Sequence, residues 1–527
     1  MATEPLFSIV TPIYNVALTI LAETIHSVTA QAFEDWELIL VDDNSEGSDI
    51  RDYLLQAQRL DPRIVVIFRS SHGGVSRASN DALAAASGVF LVLLNHHDLL
   101  AHGALAKVAA VLESNPDVDY LYSDEDKIDI FGNHSQTFAK PDWSPERLQS
   151  QMYCAHLSVI RLELARDVNG FNPEFDGSED HDFVLRVTER ARKVHHLAEV
   201  LYHWRLIPES GALSGQANPN AWDAGLEAVR AHVKRVAIDA TVERGEWFGT
   251  YAVNRRLSPQ TRVSVIIPTC GTVGVVGGVE RVFVVEAVRS VLAKTTHAAL
   301  EFVVVADATT SDPVLAEIRA LVGEQLVVVT YDKSFNFSEK CNLGFLSSSG
   351  DIVVMLNDDV EVDSENFIEE LCGPLAEESV GMTGAYLLYE DDTVQHAGHS
   401  YTERGYKHVY RGLARDDPGP FAALAVDREV SGLTAACIAI RREVFAEVGG
   451  FSERFPVNFN DVDLSMKLRG AHYRLLWLHR VSLYHFESQS RVAEVHPWEV
   501  DRLRARWGTQ ERDAYSEPAP SENIRDD

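Results

Sequence analysis

The residues best suited to chemistry lie in the second half of the chain, where the segment VVMLNDDVEV (Val353 to Val362) presents Asn357, Asp358 and Asp359 after an apolar run. Carboxylates delivered at the end of a buried strand can hold a hard divalent cation. Mg²⁺ or Mn²⁺ needs oxygen ligands and typically takes one or two carboxylates together with substrate phosphate. Asn and Asp are also ordinary turn formers, so the same triplet reads equally as a polar turn. In FNDVDL (Phe459 to Leu464), Asp461 and Asp463 stand two apart where a helix-period stretch begins. One can cap the helix, whose N-terminus stabilises negative charge, while Asp461 can act as a general base toward a hydroxyl. His485, in LYHFES, is either a ligand or a hydrogen-bonded core histidine.

These residues must be positioned by something, and an internal repeat shows what. FSIVTPIYN (Phe7 to Asn15) matches VSVIIPTCG (Val263 to Gly271), and WELILVDDNS (Trp36 to Ser45) matches LEFVVVADATT (Leu300 to Thr310). NDALAAASGVFLVLLNHHD (Asn80 to Asp98) aligns without a gap on NLGFLSSSGDIVVMLNDDV (Asn342 to Val360), pairing Asn80 with Asn342, Gly88 with Gly350 and Asn95 with Asn357. GFNPEFDGSEDHDFVLRV (Gly170 to Val187) parallels GFSERFPVNFNDVDLSMKL (Gly450 to Leu468), and LYHWR (Leu201 to Arg205) parallels LYHFE (Leu483 to Glu487). Duplicated domains follow, 1–259 and 260–500, with a charged tail 501–527 whose end, from Thr509, is expected to be disordered for want of apolar residues. Strands alternate with helix-period stretches such as Ile20 to Gln31, Ile50 to Leu60 and Asn366 to Glu377, which predicts α/β domains with mostly parallel sheets. Ligands of such sheets sit beyond the carboxyl ends of the strands.

Composition narrows the partners. With 46% apolar residues the chain can bury two cores, and 79 acidic against 47 basic residues give a net charge of −32. That field disfavours nucleic acid and anionic lipid, so an anionic ligand needs a local reversal by backbone N–H groups, basic side chains or a metal. Five cysteines without a C-x-x-C pair suggest neither a disulfide framework nor a zinc knuckle. The start of the chain has no signal-peptide pattern, and no apolar run of about 18 residues occurs. The expected location is cytoplasmic, with at most peripheral contact at the inner face of the membrane.

The ordered set YDKSFNFSEKCNLG, LNDDVEV, QHAGHSY, FNDVDL and YHFES, with VDDNS, YSDEDK, KPDWSPE, SEDHDFVLRV and LYHWR in the first half, resembles the inverting glycosyltransferases of family 2. Bacterial rhamnosyltransferase-like proteins of surface polysaccharide synthesis, O-antigen or capsule-like, are included in that resemblance. It implies two tandem GT-A domains, Rossmann-like nucleotide-diphospho-sugar transferase folds. It further implies a UDP- or dTDP-linked donor, a glycan or lipid-linked glycan acceptor, and Mn²⁺ or Mg²⁺. In the second half it makes Asp359 the metal ligand with His485, puts Asn357, Asp358, Asp307, Lys340 and Asn342 at the donor, and makes Asp461 the base.

In the first half it puts Pro12, Tyr14, Asp42, Asp43, Arg77, Asn80 and Asn95 at the donor and makes Asp180 the base. His203, His97 and Asp98 are the metal candidates there. The D-x-D position reads Asn95, His96, His97, with His97 opposite Asp359 and Asp98 one residue on. An imidazole suits Mg²⁺ poorly and Mn²⁺ better. Three readings stay open: two working halves, a working second half with a first half that binds acceptor or props its twin, or a non-catalytic carbohydrate-binding protein. Nucleotidyl transfer is disfavoured because the first half lacks a glycine-rich basic phosphate loop and the second has only Arg281 near its glycines.

Overall fold

The computed structural model describes residues 4–206, 219–403, 405–486 and 495–516. The chain divides into two compact units, Met1–Ala237 with Val242–Tyr251, and Ile238–Thr241 with Ala252–Asp527.

In the first unit the main path of the sheet runs, in spatial order, Ile64–Phe68, Trp36–Asp42, Phe7–Ile13, Phe90–Leu93, Ser158–Arg161, Tyr120–Ile128, Val194–Arg205 and Leu99–Leu100. The first four are parallel, Ser158–Arg161 runs against both neighbours, and Tyr120–Ile128 is again parallel to Val194–Arg205. The second unit repeats the order with Leu326–Tyr331, Leu300–Asp307, Val263–Thr269, Ile352–Leu356, Cys437–Arg441, Val380–Leu388, Arg474–His485 and Val360–Val362. Each unit is thus an α/β domain on a mixed sheet whose first four strands are parallel.

Parallel strands covered on both faces need near-continuous apolar sequence. Val265, Ile267, Phe302, Val304, Val354 and Leu356 enter one core, while the alternating Ile266, Val303, Val305, Val353 and Met355 enter the other. Helices such as Leu18–Thr29, which buries Leu21, Ile25 and Val28 at helical spacing, close the faces. The stretch predicted as helix from Asn366 to Glu377 is helical over Phe367–Cys372 and then tightens to a 3₁₀ turn, Gly373–Ala376. Pro374, lacking an N–H, cannot continue the longer-period hydrogen bonding.

A buried polar clasp recurs in both units. Ser8 donates to Glu37 (2.6 Å), Glu37 accepts from the Ser87 amide (2.6 Å), and the Gly88 amide donates to Ser8 Oγ (2.8 Å). Ser264, Glu301, Ser349 and Gly350 repeat it at 2.6, 2.8 and 2.8 Å. A Cβ on Gly350 would meet Ser264 Oγ at 2.6 Å and Arg262 O at 2.8 Å, so the aligned glycines answer a close approach of backbone.

The tail departs from expectation. The helix Pro497–Trp507 crosses the expected domain end at Val500 and buries Leu503 with Tyr401, Phe455 and Val462. Thr509 to Ser516 is ordered: the buried Asp513 carboxylate accepts from the amides of Tyr401, Tyr515 and Ser516 at 2.8 to 3.0 Å. One carboxylate gathering amides replaces the apolar burial that this composition lacks. The rest of the expected disordered end, 517–527, lies outside the described residues.

Candidate active site

At the carboxyl ends of the second unit's strands lies a cleft of about 580 Å³ whose walls include Lys340, Asn357, Asp358, Asp359, Asp461 and His485. Residues more than a hundred positions apart meet there because strand register brings them together. Val360 pairs with His485 in antiparallel register, and the Phe486 amide donates to Asp359 O (2.9 Å). Asp359 Oδ1 therefore stands 3.2 Å from His485 Nε2.

Gln395, buried at 4% exposure, sets the histidine's polarity. His485 Nδ1–H donates to Gln395 Oε1 (2.7 Å), and Gln395 Nε2 donates back to His485 O (3.3 Å), which fixes the amide's orientation. With Nδ1 so engaged, Nε2 faces the Asp359 carboxylate, with Asn357 Nδ2 also 3.2 Å away. A carboxylate and an imidazole nitrogen at this distance are bridged by a proton on Nε2 or by a metal cation. Asn357 Oδ1 is buried and has no hydrogen-bond partner among the described residues. Carboxylate and imidazole fit a divalent metal, Mn²⁺ better than Mg²⁺, with Gln395 as the outer partner that orients the histidine.

Asp358 is turned away, accepting from Thr269 Oγ1 (2.6 Å). Burial and the neighbouring Asp359 charge push it up to about 6. Lys340, buried at 1% exposure, donates to Thr269 O (2.9 Å) and to Asp307 Oδ1 (2.8 Å), joining two strand ends. Asn342 does not line the cleft. Its amide braces the next loop, donating to Phe451 O (3.0 Å) and accepting from the Phe451 amide (3.0 Å).

Asp461 lies at the start of the helix Asn460–Gly470, whose cap residue is Phe459, so neither aspartate is the cap. Asp461 accepts from the Val462 amide (2.8 Å), from the Thr434 hydroxyl and from the Ala435 amide. Its depth in the wall raises its pKa above the usual carboxylate range despite those donors. Asp463 points the other way, to Trp507 Nε1 (2.9 Å) and Arg506 (3.1 Å), and is structural. Thr269, Gln395, Thr434 and His408 were not singled out by the sequence. QHAGHSY and the turn near Thr434 held polar residues inside apolar surroundings, a signal of buried function that spacing alone did not assign.

The first unit is built alike and wired differently. Leu99 pairs with His203 as Val360 does with His485, so Asp98, not His97, occupies the register position of Asp359. The gap-free alignment is off by one here, because strand pairing is held while the turn after Asn95 is one residue longer. Asp98 is fully buried and accepts from Tyr202 OH (2.6 Å), Asn95 Nδ2 (3.0 Å) and the Arg205 amide (2.8 Å), which leaves it poorly placed as a metal ligand. The Arg205 guanidinium donates to His97 O (2.9 Å) and to Glu23 (2.6 Å), closing the turn with a fixed positive charge. His203 Nδ1 is hydrogen-bonded to Asp126 (2.6 Å), and His96 Nδ1–H donates to Pro12 O (2.9 Å). The three metal candidates His97, Asp98 and His203 therefore do not form one open ligand set.

Of the first unit's donor residues, several gather at one loop. Asp43 accepts from the amides of Gly73 (3.0 Å) and Gly74 (2.8 Å) and pairs with His72 (2.8 Å), on which Tyr14 stacks at 4.0 Å. Arg77 donates to Gly73 O (2.7 Å), and Asp42 accepts from the Ser45 amide (3.1 Å). Asn80 is a brace like Asn342, donating to Phe171 O (2.7 Å). Asp180 accepts from the His181 amide (2.8 Å), as Asp461 does from Val462.

A family model described as glycosyl transferase family 2 matches residues 8–168 and 264–449. The chain is 36% identical, over 99% of its length, to an uncharacterized protein, y4gI, of Sinorhizobium fredii. It is 34% identical, over 94% of its length, to the O-antigen biosynthesis protein RfbC of Myxococcus xanthus. It spans 58% and 38% of the lengths of those two relatives. Among solved structures, S. aureus TarS 1-349 in complex with UDP-GlcNAc is similar over 43% of this chain and 66% of that one, with 20% identity and a TM-score of 0.37.

Proposed function

This chain belongs to glycosyl transferase family 2, and from that premise we propose that its second unit transfers a sugar, with inversion, from a nucleotide-diphospho-sugar to a glycan hydroxyl. The observation that carries the reading is the shared cleft of Asp359, His485, Asn357 and Asp461. Asp359 and His485 would hold the cation, with Asn357 beside them at the donor, and a bound divalent ion supplies charge neutralisation for the departing diphosphate. Lys340 and Asp307 steady the strand ends that frame the nucleotide. Asp461, ionised and held by Thr434 and Ala435, takes the proton of the acceptor hydroxyl as its oxygen attacks the anomeric carbon from the face opposite the leaving group. Attack from that face inverts the anomeric centre.

The donor is proposed to be UDP- or dTDP-linked, and the acceptor a glycan or lipid-linked glycan of a bacterial surface polysaccharide. The naming of the Myxococcus relative as an O-antigen biosynthesis protein supports that setting. A cytoplasmic site of action, peripheral to the membrane at most, is proposed with it. Among the described residues no helix is long and apolar enough to cross a membrane.

For the first unit the hydrogen-bonded state of Asp98 favours the reading in which that unit binds acceptor or supports its twin. Purified protein incubated with Mn²⁺ and a panel of nucleotide-sugars should release nucleoside diphosphate from one donor class. Asp359→Ala and Asp461→Asn should each abolish that transfer, and undiminished turnover in both would refute the reading. Asp180→Asn should leave the linkage made by the second unit intact.

A further inference from the structure

Deep in the same cleft wall three imidazoles meet. His399 and His408 face each other across the hairpin of His399–Thr402 and Gly405–His408, and His396 lies three residues earlier. Their ring centroids are 4.7 to 4.8 Å apart, edge to face. Such a cluster invites a metal, but its hydrogen bonds are polarised against one. The Thr434 backbone amide, which can only donate, reaches His396 Nε2 at 3.2 Å. His396 is buried and held neutral by burial, so its one proton is on Nδ1. That proton points at His408 Nδ1, 2.8 Å away, and occupies the space in which a cation would have to sit. His408 is likewise held neutral by its surroundings, at about 3, so its own proton is left on Nε2.

The consequence falls on the cleft. His408 lines it, with its Nδ1 edge turned back to His396, so the opposite edge carries an N–H outward. Asp461, His399 and Arg411 share the wall, and Thr434 ties the two systems together: its amide polarises the histidines while its hydroxyl donates to Asp461. The wall therefore offers a neutral donor and an anionic acceptor side by side, a pattern that matches two neighbouring oxygens of a sugar. We propose that His408 Nε2–H is the donor of an acceptor-sugar subsite, gripping the oxygen next to the hydroxyl that Asp461 deprotonates. This rests on the transferase reading. His408 is a binding residue in it, and His396 and Thr434 are positioning residues that act through it.

The test uses the full chain labelled with [¹⁵N]histidine, the His408 signal being identified by its loss in His408→Gln. Near neutral pH the ring should be neutral with the proton on Nε2, and added Zn²⁺ should leave it so. Methyl α-D-glucopyranoside, methyl α-L-rhamnopyranoside and methyl β-D-galactopyranoside are the probes, and at least one should shift the His408 N–H signal. Its affinity should fall about fivefold or more in His408→Phe, the loss of one neutral hydrogen bond, and be largely restored in His408→Gln, which keeps a side-chain N–H. Mn²⁺ affinity should stay unchanged in both variants, which a general structural collapse would not allow. A proton on Nδ1, stoichiometric Zn²⁺ at the histidines, no shift with any glycoside, or equal losses in the Phe and Gln variants would each overturn the proposal. Failure of the transferase reading shows separately, as absence of nucleoside diphosphate release with the His408 tautomer still as stated.

Discussion

Gln395 keeps Asp359 and His485 in an arrangement that neither would adopt for its own sake. Removing its carbonyl in Gln395→Leu frees the imidazole to turn and to take a proton on Nε2, so Mn²⁺ affinity should fall about 10–100-fold, as read by Mn²⁺ titration. Asp461→Asn keeps the shape and loses the base, which should lower the transfer rate by about 10²–10⁴-fold with donor affinity retained. Because burial raises the pKa of Asp461, the working carboxylate form is present above that raised value and is lost as pH falls through it. The pH profile of kcat/KM should therefore have an acid limb above the ordinary aspartate range, and a limb near that of a free carboxylate would contradict the assignment. Residue types and the repeat made Asp359, Asp461 and His485 candidates from sequence, and the fold brings the three to one cleft. Gln395, Thr434 and His408 were not legible. Their roles depend on which atom of an amide or ring faces which neighbour, and no spacing encodes that.

At the scale of elements, the repeat predicted two sheets and the strands came where β-branched runs stood, because parallel strands tolerate little else. The Ser–Glu–Gly clasp explains why Gly88 and Gly350 fall at one position: the glycine lets the strand-entry turn lie against Ser8 or Ser264. Gly350→Ala should cost about 1–3 kcal/mol by overpacking, measured as a lower denaturant midpoint, and Gly88→Ala should do the same to the first unit. The one-residue slip at Asn95 marks what alignment does not carry. Letters were matched across a turn, whereas backbone pairing of Leu99 with His203 decides which side chain stands at the cation position. The tail carries a related lesson, since Asp513 ties its segment to the Tyr401 amide of a distant strand.

At the scale of the molecule, a net charge of −32 opposes the approach of any nucleotide donor, and only the cleft's own groups reverse it. Salt screens repulsion between like charges over a Debye length of about 8 Å at physiological ionic strength. Donor kcat/KM should accordingly rise a few-fold between about 10 mM and about 150 mM salt, and a fall would show that steering is attractive instead. The Arg205 closure of the first unit has a bearing on descent as well. Changing Arg205 alone would uncap His97 O and return Glu23 to solvent, while changing Asp98 alone would leave Tyr202 OH, Asn95 and a backbone amide unmatched. Because Asp98 meets only the backbone amide of residue 205, the two positions are free to change separately in descent, and the greater cost falls on Asp98, whose loss leaves three donors without their acceptor.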